Sequence, residues 1–85
     1  MVHLLDIGVR KRIMGYPSLI AKGYSSLDDT TPMYLWNCGN YKYEIEVKKN
    51  KYMTASEVFS ADYYEALDRF KEKISESTFE WISLV

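Results

Sequence analysis

The stretch at residues 40–54, "NYKYEIEVKKNKYMT", constrains this chain more than any other. Over residues 41–48 an apolar side chain alternates with a charged one, and a period of two marks a strand with one buried face. That assigns Tyr41, Tyr43, Ile45 and Val47 to a core, and Lys42, Glu44, Glu46 and Lys48 to water. The apolar run 33–38 comes before it, and Gly39-Asn40 between the two predicts a tight hairpin turn. Lys49-Asn50 reads as the next two-residue turn, because Asn tolerates the positive φ such turns require. Residues 51–59 then continue as a third antiparallel strand.

A sheet with one apolar face needs a second layer, and residues 62–74 supply it. Tyr63, Ala66, Leu67, Phe70 and Ile74 recur at the spacing of one stripe on an amphipathic helix. Asp62 followed three residues on by Glu65 matches a capping box, with Ser60 as the rival cap. Lys71 and Lys73 suit the negative end of the helix dipole. "SEST" at 75–78 closes the helix, and "FEWISLV" at 79–85 has the composition of a final strand.

Toward the front, residues 5–13 alternate as a strand would. Leu5, Val9 and Ile13 also fit a helix, while Gly8 and the β-branched residues favour the strand. "GYP" at 15–17 signals a turn, "SLIAKGY" a short strand, and "SSLDDTTP" at 25–32 a polar loop. The fold class expected is therefore α+β: an antiparallel meander of three to five strands packed against one C-terminal amphipathic helix. Eighty-five residues suffice for one domain, 1–85, near the lower limit for an unstapled core.

Few residues offer catalytic chemistry. His3 is the only imidazole and Cys38 the only thiol, too few for a structural zinc site or an internal disulfide. Gly8, Gly15, Gly23 and Gly39 form no phosphate-binding loop, and "DD" at 28–29 lacks the spacing of a metal loop. The chain reads as a non-enzyme with no cofactor. The first fifteen residues place charge after the apolar run, the wrong order for a signal peptide, and no run approaches a membrane span of about 20 residues. A cytoplasmic protein is expected.

Charge is divided along the chain. Residues 1–51 hold eight Lys/Arg against five Asp/Glu, for +3, and residues 52–85 hold three against seven, for −4. Two basic groups, Arg10, Lys11, Arg12 and Lys48, Lys49, Lys51, could grip phosphates, with Tyr41, Tyr43 and Tyr52 stacking bases. Alternation puts those tyrosines on the face opposite the lysines, and a pI near 5.8 is low for such a binder. Lysines at a hairpin tip also serve to protect an edge. Glu65, Asp68, Glu72 and Glu76 fall opposite the apolar stripe of the helix, bordered by Tyr64 and interrupted only by Arg69. Carboxylates spaced on a rigid helix can occupy a groove meant for phosphates.

The segment "YKYEIEVKKNKYMTASEVFSADYYEALDRFKEKI", a hairpin followed by an amphipathic helix, resembles in plan the small phage-encoded inhibitors of host defence, among them anti-CRISPR proteins. Toxin-immunity proteins are similar on the same grounds. The resemblance implies a non-enzymatic inhibitor in the host cytoplasm, partnered by a nuclease or another nucleic-acid-binding protein. A small nucleic-acid-binding module is the alternative.

Overall fold

The structure, a computed structural model, describes residues 15–84. It has strands β1 (Ser18–Tyr24), β2 (Pro32–Gly39), β3 (Lys42–Asn50) and β4 (Met53–Ser60), then helix α1 (Tyr63–Lys71), a 3-10 turn (Glu76–Thr78) and strand β5 (Glu80–Trp81). One antiparallel sheet runs in the order β4-β3-β2-β1-β5, so four consecutive strands meander and the chain returns to pair β5 with β1. This is the α+β architecture expected, with the helix packed on one sheet face. The strand foreseen at 5–13 lies outside the described residues.

The β2–β3 turn is shifted by one residue from the sequence reading. Asn40 and Tyr41 both have positive φ, 54° and 59°, and form the two-residue loop, while Cys38 sits in a bulge between Asn37 and Gly39. Asn37 Oδ1 accepts the Gly39 N–H at 2.9 Å and stabilises that bulge. Gly39 is required there. Its φ is +88°, and a Cβ would stand 3.1 Å from the Tyr16 ring. Tyr41, assigned to the core by alternation, is consequently 73% exposed in the turn. The β3–β4 turn is shifted further, to Lys51-Tyr52, with Lys49 taken up in a bulge. Asn50 shapes it by accepting the Tyr52 N–H through its side chain.

The core forms where cross-strand register stacks apolar pairs. Leu35 faces Ile45, Met33 faces Val47, and Tyr43 faces Phe59 on the side that α1 covers. Burial holds the Tyr43 phenol above its usual pKa, and the neighbouring phenols of Tyr16 and Tyr63 add to that. Phe70 and Ala66 of α1 are fully buried against this layer. The opposite sheet face holds a correction: Glu44 and Glu46, assigned to water, are buried, Glu46 to 1% exposure. Trp36 of β2 donates its indole N–H to Glu46 Oε1 at 2.9 Å, so a pairing across the strands replaces water at that oxygen.

Helix α1 starts where the capping box predicts. The Asp62 side chain accepts the Glu65 N–H and the Glu65 carboxylate accepts the Asp62 N–H, so Ser60 is not the cap. The helix is shorter than the stripe implied. After Lys71 the backbone turns, Ser26 N–H donates to Lys73 O, and Ser75 N–H donates to Tyr24 O. Ile74 therefore reaches the core from an extended bridge with Ser25. Gly23 of β1 admits this close approach, since a Cβ there would meet Ile74 Cδ1 at 3.0 Å. The final strand is two residues long, not seven, although Ile82 and Ser83 N–H groups still donate to Ile20 O beside the β1 bulge. Trp81 donates to the Tyr63 hydroxyl, which donates to Ser83 O, and this ties the chain end to the start of α1.

Candidate functional site

The outward side of α1 carries the carboxylates singled out in the sequence. Glu65, Asp68 and Glu72 are exposed, and Tyr64 beside them is 72% exposed. With a rise of about 1.5 Å per residue, the three carboxylates spread over roughly 10 Å of helix axis. Glu72 is the C-cap residue and the last of the row. Glu76 does not join it: the helix has ended, and Glu76 opens the 3-10 turn. Glu65 has a structural duty as well, because its carboxylate is half of the capping box.

Arg69, expected to interrupt the row, is turned aside. Its guanidinium lies 4.4 Å over the Phe59 ring and bonds Glu57 of β4. The other cations near the helix end are also held laterally. Lys71 Nζ lies 4.9 Å over Phe79, and Lys73 Nζ is 4.0 Å from Glu57. The Arg69 charge is thus partnered by Glu57 on the β4 side of Glu65, Asp68 and Glu72. Between it and β4 runs an open trough of about 360 Å³, lined by Phe59, Ser60 and Ala61 on one side and by the row and Arg69 on the other.

The basic alternative is divided. Arg10, Lys11 and Arg12 lie outside the described residues. Lys48 and Lys49 end β3 and Lys51 occupies the following turn. Of the tyrosines considered for stacking, Tyr43 is buried in the core, and Tyr41 sits in the turn at the other end of β3. Tyr52 shares a surface with Lys51, its ring 5.2 Å from Lys51 Nζ.

One concavity has no counterpart in the sequence reading. A groove of about 470 Å³ opens between the end of α1, the 25–31 loop and the sheet, floored by Met33, Ile45, Val47 and Ala55 and edged by Glu57, Glu72 and Lys73. It exists because α1 stops at Lys71 and leaves that end of the sheet uncovered, a length that a periodicity argument overestimates. Leu27 stands beside it, almost wholly exposed on a loop fixed by Asp28. Asp28 accepts the N–H groups of Thr30 and Thr31 at 2.8 and 2.9 Å and the Thr31 hydroxyl at 2.6 Å. These bonds, the Thr31 hydroxyl first, lower its pKa to about 2.

Among the described residues no three His, Cys, Asp or Glu side chains converge as metal ligands would, and no helix is long and apolar enough to cross a membrane. Set against protein-family models, curated proteins and solved structures, the chain matches none of them.

Proposed function

We propose that this chain is a non-enzymatic, protein-binding inhibitor whose outward helix face occupies the nucleic-acid-binding surface of a host defence protein. The observation that carries the reading is the exposure of Glu65, Asp68 and Glu72 along one side of α1, with Arg69 drawn onto Phe59 and Glu57. Carboxylates on a capped helix are solvated and regularly spaced on a rigid backbone, which suits them to a groove built for phosphates. Tyr64 adds a large amphipathic ring at the border of the row, the kind of side chain that anchors protein interfaces.

The test is the double reversal Asp68→Lys, Glu72→Lys. Glu65 is left in place because it caps the helix. Both altered residues are exposed, and Lys at the helix C-terminus suits the dipole, so the melting temperature should hold. Wild-type protein should retain from a host lysate a nucleic-acid-binding protein, displace nucleic acid from it, and lose it as salt rises. The reversed protein should retain none. Equal retention by both proteins, or a captured protein that keeps its nucleic acid, sinks the reading.

A further inference from the structure

Among the described residues the sheet has two edges, and they differ. β5 is two residues long and offers little to pair with, whereas β4 is an eight-residue edge. Ala61 N–H donates to Tyr41 O, and strand alternation from that bond turns the N–H and C=O groups of Phe59, Glu57 and Ala55 inward to β3. Those of Thr54, Ser56, Val58 and Ser60 face away from the sheet. Proteins usually blunt such an edge with proline, lysine or a bulge, and β4, "MTASEVFS", has none of these. Its one charge, Glu57, is held over the helix side by Arg69 and Lys73. Val58 within that outward-facing row is 62% exposed, and Met53 at the start of the strand is 56% exposed.

We infer that β4 pairs with β4 of a second copy of this chain, joining the two sheets into one across a twofold axis. The edge is self-complementary in one register. Antiparallel pairing sets outward-facing residues opposite one another, so the axis passes through Ser56, or through a neighbour of it. With the axis at Glu57, two carboxylates would stand directly opposed, which is destabilising. With the axis at Val58 or Ala55, the pairing loses one end of the strand. At Ser56 each pair is compatible: Thr54 meets Val58 of the second copy, Ala55 meets Glu57, and Met53 meets Phe59. A methionine sulfur beside an aromatic ring is favourable. A twofold axis normal to the sheet leaves both helices on the same side. The inference does not depend on the function proposed for the helix face.

Sedimentation velocity over a concentration series tests it. The wild-type chain should pass from monomer to dimer as concentration rises. Val58→Lys charges the edge, and Ser56→Pro removes an outward N–H that no β3 partner uses. Each should abolish the dimer while leaving the thermal melt unchanged at concentrations where the wild type is monomeric. If either variant fails to fold, cross-linking decides. In a Cys38→Ala background, Ser56→Cys should oxidise to a covalent dimer, because directly opposed hydrogen-bonded residues lie about 5.5 Å apart. Val58→Cys, which opposes Thr54, should not. A wild-type chain that stays monomeric up to its solubility limit overturns the inference. So does a dimer that survives both edge variants, or one that Ser56→Cys cannot cross-link.

Discussion

Asp28 shows how much a single exposed side chain organises. Three donors converge on its carboxylate, and the loop that carries Leu27 takes its shape from them. The folded-state pKa of about 2 lies below the ordinary 3.8, so this group favours the folded state wherever it is ionised. The contribution is complete above about pH 4 and is lost as pH falls toward 2. Asp28→Asn should therefore flatten stability against pH across that window in acid denaturation curves, while the wild type keeps its slope. An identical slope in both would mean the carboxylate is not held by these donors. Tyr41 makes a complementary point. Nothing in its residue type calls for positive φ, and it adopts 59° because the turn closes there, one position later than Gly39-Asn40 would place it.

At the scale of elements, the β3–β4 hairpin bears on the two readings of the lysines. Bulging at Lys49 places Lys48, Lys49 and Lys51 around one tip, at the opposite end of β3 from Tyr41 and beside Tyr52. Lysines at an exposed turn are ordinarily solvated. Replacing all three with Ser should leave retention of the chain on immobilised single-stranded DNA at low salt as weak as before, and leave partner capture intact. A large fall in retention would assign the hairpin tip to nucleic acid and displace the helix face. The helix itself was legible: Asp62 and Glu65 announced its start, and the apolar stripe announced its buried side. Its end was not. Ile74 continues the stripe in sequence, but backbone bonds from Ser26 and Ser75 hold that segment extended. A hydrophobic residue three or four places on satisfies a periodicity test whether it lies on the helix or merely beside it.

At the scale of the molecule, a layer of core joins the sheet to α1, and Phe70 is the largest fully buried side chain among the described residues. Phe70→Ala should cost about 3–5 kcal/mol, the usual range for such a cavity. Against a total stability on the order of 5–10 kcal/mol, that leaves a marginal fold. Chemical denaturation should show the loss as a lower midpoint. A midpoint unchanged by the substitution would mean that α1 does not seal the sheet, and the orientation of its acidic face would go with it.

Local pattern was enough to place the meander from β2 to β4 and the helix that covers it. Those properties rest on short-range patterns: a period of two at Tyr43, Ile45 and Val47, a stripe at Tyr63, Ala66, Leu67 and Phe70, and a cap at Asp62. Tertiary structure alone decided the rest. Glu44 and Glu46 alternate as solvent-facing residues should, yet they are buried, and Trp36 bonds Glu46 from across the sheet. Arg69 reads as a break in an acidic row until Phe59 and Glu57, ten and twelve positions back, draw it aside. Periodicity says which side of a strand a residue takes. What covers that side, and which distant group meets a charge there, depends on elements that the local pattern does not contain.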